Sequence, residues 1–361
     1  MLNRRNFVKA VSALSASVLT STQSGCGGDS SSSFRHAERP DVGYFGRISL
    51  NAYCFNSALN DIPKSRGISS CVTSLYTVPG ETMGHDVLQF CAKYKVDAID
   101  PTGYFWRGFP NPPSDAAIRD FKAEAASYGI AVSGTGARND FAQADPAARD
   151  KDVGIVTAWA RACAELEAPV LRVFAGPVPL GYEQRWEEVA TWMANDLRKC
   201  CKAAPSGIKL GIQNHGDMLR TSDQMIRLLD MVDAENLGVI NDTGYYSTPD
   251  PYVDIERMMP YTVSIQIKES VRPVKRQHPL EMDLNRLMRI IQGSGYRGFL
   301  PIETLPTVDE KSGTDDNDYN PGKKVPEFLA KLRAAIAGVT GEPIVATPEP
   351  IVCAPNTVIP D

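Results

Sequence analysis

The chain is predicted to fold as an α/β protein of the (β/α)8 TIM-barrel class, and three observations predict it. Short apolar runs alternate with helix-length amphipathic segments from Arg47 onward, eight units in all. The last four runs each end in polar residues: Leu210-Gly-Ile-Gln213-Asn214-His215, Gly238-Val-Ile-Asn241-Asp242-Thr243-Gly244, Val263-Ser-Ile-Gln266-Ile-Lys268-Glu269 and Gly298-Phe-Leu-Pro-Ile-Glu303. No glycine-rich phosphate loop follows any run, which disfavours the nucleotide-binding form of the competing doubly wound sheet. In a closed parallel barrel the carboxyl ends of the strands open into one pocket. Gln213, Asp242, Gln266 and Glu303 would then meet there. They are four oxygen donors, two of them anionic, the kind of set that hard divalent cations favour.

The elements follow in order. Ile48 to Phe55 alternates as a first strand, and the Gly- and Pro-containing stretch from Asn56 to Glu81 reads as a long loop over something. Val87, Phe90, Cys91 and Tyr94 fall at helical spacing, and Val96 to Asp100 is the second strand. The stripe Ile118, Phe121, Ala125, Tyr128 stops at Gly129, and Ile130 to Ser133 is the third strand. Ile155, Trp159, Ala162 and Leu166 precede the fourth strand, Val170 to Phe174. Trp186, Val189, Met193 and Cys200 make a helix closed by Pro205, before the fifth strand from Ile208 to Gln213. Thr221 or Ser222 can cap the stripe Met225, Leu228, Leu229, Val232. Leu237 to Asn241 is the sixth strand, Tyr252 to Met259 a short helix stopped by Pro260, and Thr262 to Ile267 the seventh strand. Asp283 caps Leu284, Leu287, Met288 and Ile291, Gly298 to Ile302 is the eighth strand, and Val325, Phe328, Leu329 and Leu332 mark the last helix.

The ends of the chain read differently. Residues 1–30 resemble a twin-arginine export signal: Arg4-Arg5, Phe7, then a weakly apolar segment from Ala10 to Leu19. This predicts an exported, periplasmic or outer-surface protein. Small residues before Cys26 and a serine run after it make Cys26 a candidate lipid-anchor cysteine, although Gln23 stands where lipoprotein signals carry an aliphatic residue. Residues 31–46 read as a flexible linker, 47–340 as the barrel, and 341–361, with five prolines, as an extended tail.

Bulk properties narrow the partners. The 361 residues carry a net charge of −5 and show no basic face, which argues against nucleic acid. No apolar run after the amino terminus is long enough to span a bilayer. The eight cysteines form no CxxC pair, so a zinc-thiolate site is not expected. Cys91, Cys163 and Cys200 lie on apolar stripes and read as core residues, whereas Cys54, Cys71 and Cys353 could form bridges in an exported chain. Composition does not set the oligomeric state.

From about Arg47 to Ala337 the chain resembles the xylose-isomerase-like TIM-barrel superfamily, the sugar phosphate isomerase/epimerase group. Gln213-Asn214-His215-Gly216, Asp242-Thr243-Gly244, Gln266-Ile-Lys268 and Gly298-to-Glu303 carry the resemblance in order and spacing. Asp97-to-Gly103, Arg138-Asn139-Asp140-Phe141 and Arg172-to-Gly176 add weaker matches. The resemblance implies one divalent metal ion, manganese foremost with magnesium, cobalt or zinc as alternatives, held by Gln213, Asp242, Gln266 and Glu303. Two of these depart from the family pattern, which has Glu at the position of Gln213 and His at that of Gln266. The site loses an anion, and metal affinity should fall with it.

The resemblance also implies proton-abstraction chemistry on a sugar through a stabilised enediolate, with Glu303 as base and Lys268 or His215 as acid. Gln213 cannot take a proton, so a symmetric two-base epimerisation is disfavoured. Aldose-ketose isomerisation remains, as does β-elimination or hydration next to a keto group, the chemistry of 3-keto-glycoside lyases and inosose dehydratases. Export favours a non-phosphorylated sugar. A carbohydrate-binding protein with a degenerate site is the reading from another class. A metal-dependent endonuclease fits poorly with four histidines and an acidic chain. Arg172, Asn139, Tyr104, Trp106 and His278 are the candidate substrate contacts. The bland alternatives are a salt bridge for Arg172, backbone bonds for Asn139 and His215, packing for the aromatics and a solvated loop for His278.

Overall fold

The computed structural model describes residues 39–59, 72–74, 85–274, 278–306, 308–309, 314–315 and 319–349. The export signal, Cys26, Cys71, Cys353, most of the loop between Asn56 and Glu81, and residues 350–361 of the tail lie outside them. Among the described residues no helix is long and apolar enough to cross a membrane.

Eight strand positions form a parallel barrel. The strands are β1 (Ile48–Asn51), β2 (Ala98–Asp100), β3 (Ala131–Val132, continued at Thr135–Gly136), β4 (Val170–Phe174), β5 (Lys209–Gln213), β6 (Leu237–Asp242), β7 (Thr262–Lys268) and β8 (Leu300–Glu303). Each pairs in parallel with its sequence neighbours, and β1 pairs with both β2 and β8. The third strand, expected to be continuous to Ser133, is instead broken there. Its first half pairs with β2 and its second with β4. At the break a Cβ on Gly134 would come to 3.0 Å from the Val170 carbonyl oxygen, so the chain runs close to β4 and a side chain there would push the strands apart by a few tenths of an ångström.

The helices between strands are α1 (Val87–Lys93), α2 (Asp115–Tyr128), α3 (Pro146–Glu165), α4 (Trp186–Ala203), α5 (Ser222–Val232), α6 (Pro251–Met258) and α7 (Leu284–Gly293), followed by α8 (Pro321–Thr340). Local chemistry sets their ends. Ser114, Thr221 and Asp283 accept hydrogen bonds from Ala117, Gln224 and Arg286 backbone N–H groups at the starts of α2, α5 and α7. Gly129 ends α2 with φ of 71°, a left-handed conformation that glycine adopts without penalty.

Strand alternation divides the apolar residues into two sets. Leu50, Ile99, Leu171, Val173, Ile212, Val239, Ile265, Ile267 and Ile302 join the helices in one large core. Val170, Ile240 and Val263 form a separate small cluster that plugs the barrel. The residues out of phase with the large core, at the carboxyl ends of the strands, are polar: Asn51, Asp100, Arg172, Gln213, Asp242, Gln266, Lys268 and Glu303, all buried. Cys54, Cys91, Cys163, Cys200 and Cys201 are buried free thiols. Cys54 accepts a hydrogen bond from the Thr304 backbone N–H at 3.2 Å, so it acts as a core residue and not in a bridge.

Candidate active site

A cavity of about 1250 Å³ opens at the carboxyl ends of the strands. Its lining includes Asn51, Tyr104, Arg172, Gln213, His215, Gln266, Lys268 and Glu303. The floor is an ionic cluster. Lys268 is in register with Glu303 on the neighbouring strand, and its ammonium forms an ion pair with the Glu303 carboxylate. The same Nζ lies 3.6 Å from Asp242 Oδ2. Burial pushes the Lys268 pKa down and the Asp242 carboxyl up, and their mutual attraction opposes both shifts.

Backbone and neighbouring amides hold Asp242. Asn214 Oδ1 accepts from the Asp242 N–H at 2.8 Å, and Asn214 Nδ2 donates to the Asp242 carbonyl at 2.9 Å. Asp242 Oδ1 accepts from the Gly244 N–H at 2.9 Å, and Asp242 Oδ2 accepts from Gln213 Nε2 at 2.6 Å. Gln213 Oε1 accepts in turn from Arg172 Nη1 at 3.3 Å. The Gln213 amide is therefore fixed end to end: turned over, it would set oxygen against carboxylate and NH2 against guanidinium. Gln266 Oε1 accepts from Asn51 Nδ2 at 3.4 Å, and Asn51 Oδ1 accepts from Thr102 Oγ1 at 2.8 Å. Gln266 Nε2 is buried without a hydrogen-bond partner among the described residues.

Aromatic rings make one wall. Arg172 lies over the Phe174 ring at 4.3 Å and reaches the Tyr104 hydroxyl at 3.4 Å. Gly136 makes room for it, since a Cβ there would meet the guanidinium. His215 sits between Phe174 and Tyr245, with ring centroids 4.7 and 4.8 Å away. Surrounding protein, with Arg172 and Lys268 nearby, pushes its pKa down to about 4. Solvent reaches the ring through the cavity mouth and screens part of that effect. The lowered pKa favours the neutral imidazole, stacked between the two rings at the cavity wall. Beneath Arg172, burial raises the Asp100 carboxyl to about 6 against the pull of the guanidinium.

Most of the foreseen residues thus meet in one place, but three of the expected substrate contacts, Trp106, Asn139 and His278, do not take that part. Trp106 turns away from the cavity: it is buried, its indole N–H donates to the Pro101 carbonyl at 2.9 Å, and it packs edge-on to Phe121. Asn139 lines the cavity but spends its amide on strand β4, donating to the Phe174 carbonyl at 2.8 Å and accepting its N–H at 3.0 Å. His278 is exposed and outside the cavity lining. Asn51, Tyr53, Asn214 and Tyr245 were not singled out beforehand. Asn51 carries the same signal as Gln213 and Glu303, a polar residue closing an apolar strand.

The metal site implied by position does not form from these donors. Among the described residues no three His, Cys, Asp or Glu side chains converge. Both amide oxygens are engaged, by Arg172 and by Asn51. The two carboxylates share one ammonium. A dication favours several anionic oxygens, whereas here two of the four donors are neutral amides and both carboxylates are paired with Lys268.

The model of the xylose isomerase-like TIM barrel family matches residues 88–328. Among solved structures, D-psicose 3-epimerase from Clostridium cellulolyticum H10 superposes with a TM-score of 0.57 at 13% identity, over 81% of this chain and 99% of that one. A xylose isomerase domain protein from Planctomyces limnophilus gives 0.51 at 17%, over 71% and 94%. The 3-keto-D-glucoside 4-epimerase of E. coli gives 0.51 at 13%, over 68% and 92%. At these identities the likeness establishes the fold. No curated protein matches the chain.

Proposed function

The chain belongs to the xylose isomerase-like TIM barrel family, and on that premise we propose that it is an enzyme abstracting a proton beside the carbonyl of a non-phosphorylated sugar. The observation that carries this reading is the Glu303–Lys268–Asp242 cluster on the cavity floor. Glu303 takes the proton from the carbon next to the carbonyl. The electron pair moves onto the carbonyl oxygen, where the Lys268 ammonium and the Arg172 guanidinium balance the new charge. Return of the proton to the former carbonyl carbon, with the adjacent hydroxyl proton passing to the former carbonyl oxygen, completes an isomerisation, and departure of a β-substituent that takes up a proton completes an elimination. Gln213 lines the same cavity as Glu303 and cannot carry a proton, so a two-base inversion through these positions is disfavoured. Asp242 and Gln213 hold Lys268 and Arg172 in place, and the rings of Phe174, His215 and Tyr245 offer faces for stacking on the apolar side of a sugar.

Charge around the cavity supports a neutral substrate. Among the described residues, Asp140, Asp152, Asp217 and Glu303 in its lining offset Arg138, Lys151, Arg172 and Lys268, which favours an uncharged ligand over a phosphate. The twin-arginine-like segment of residues 1–30 supports the same reading, with the enzyme working outside the cytoplasm and Cys26 as its anchor.

The test is incubation of the full chain in deuterated buffer with keto-sugars, 3-keto-glycosides and sugar phosphates, read by NMR. Deuterium should enter at the carbon beside the carbonyl of a non-phosphorylated sugar. Saturable sugar binding without exchange on any of them would make the chain a sugar-binding protein instead.

A further inference from the structure

We infer that the Lys268 ammonium occupies the place of the divalent cation implied by the family, so that the site is charge-complete without a metal. This rests on the proton-abstraction reading for its chemistry but not for its test.

Three observations converge. The strand-end positions 213 and 266 carry amides, and each amide oxygen is already an acceptor: Gln213 from Arg172, Gln266 from Asn51. The Gln213 amide cannot turn over, because a carboxylate and a guanidinium stand at its two ends. The two anions that remain, Asp242 and Glu303, come from strands on either side of β7, and Lys268 reaches both. Two buried carboxylates side by side need a counter-cation. A tethered ammonium supplies it without a dissociation equilibrium, and Arg172 adds a second fixed cation at the same floor. A dication entering this cluster would meet two buried positive charges, two neutral amide oxygens that already accept hydrogen bonds, and two carboxylates already paired with Lys268. Lys268 also delivers the charge to the position where a substrate carbonyl would lie, so the electrophilic role passes to a side chain.

The experiment needs no substrate. The full chain is stripped with chelator, dialysed against manganese and, separately, magnesium, cobalt and zinc, and its metal content and thermal midpoint are measured. Wild type should retain no stoichiometric metal and show no shift in midpoint. About one equivalent of any of these ions, lost in Asp242→Ala, would overturn the inference. A second arm compares Gln213→Glu/Gln266→His with the same pair plus Lys268→Met. Removing the ammonium should tighten manganese binding by at least about tenfold. Equal affinity in the two variants would show that Lys268 does not hold the cation's place. Sugar turnover is not read in either arm, so loss of the enzymatic reading and loss of this one remain separate results.

Discussion

Lys268 and Glu303 sit opposite each other in register on β7 and β8, and their ion pair closes the floor of the barrel mouth. Both are buried, at 6% and 8% exposure, so neither charge is balanced by water. Removing one partner leaves the other as an uncompensated buried charge.

Lys268→Met should therefore cost about 3 kcal/mol of stability, because Asp242 and Glu303 would lose the ammonium paired with both of them. Urea unfolding of variant and wild type measures it. A loss close to zero would mean that solvent already screens the pair.

Asn214→Ala should cost about 1–3 kcal/mol, since it strips a buried donor and acceptor from the Asp242 backbone. The same unfolding assay applies. An unchanged midpoint would show that Asp242 is fixed by Gly244 and Gln213 alone.

Gly136→Ala should displace the Arg172 guanidinium, which occupies the space a Cβ would need. Sugar affinity, followed by calorimetry, should fall about tenfold or more with the loss of a charge-assisted hydrogen bond. Unchanged affinity would remove Arg172 from the binding site.

Asp100 gives a pH signature. Its carboxyl titrates near 6 in the folded chain because burial outweighs the pull of Arg172, against 3.8 ordinarily. Between those values the folded state binds more protons than the unfolded one, so this group's contribution to stability falls as pH rises from about 4 to 6 and is flat above. Asp100→Asn should remove that slope and raise stability at pH 8 by about 1–3 kcal/mol. Destabilisation at pH 8 would show that the electrostatic attraction of Arg172 is worth more than the burial costs.

Much of this was legible in the sequence because the barrel repeats a simple rule. An apolar strand that ends in a polar residue delivers that residue to the mouth, and Gln213, Asp242, Gln266 and Glu303 all follow it. The break in β3 was not legible, since it depends on how closely Gly134 passes β4. Nor was the direction of the two amides. Whether a glutamine offers oxygen or NH2 to its neighbour is decided by Arg172 and Asn51, on strands distant in sequence. Trp106 and Tyr104 stand two residues apart in one loop, and nothing local tells which turns inward. Tyr104 faces the cavity, while Trp106 packs into the core, where Pro101 offers its carbonyl to the indole.

The most direct test of the central claim is the rate of solvent deuterium exchange at the carbon beside the carbonyl of a bound keto-sugar, for wild type against Glu303→Gln. With Glu303 as the base, the variant should bind the sugar with similar affinity and exchange roughly 10²–10⁴ times more slowly. Exchange at the wild-type rate in Glu303→Gln would contradict the assignment and move the base elsewhere in the cavity.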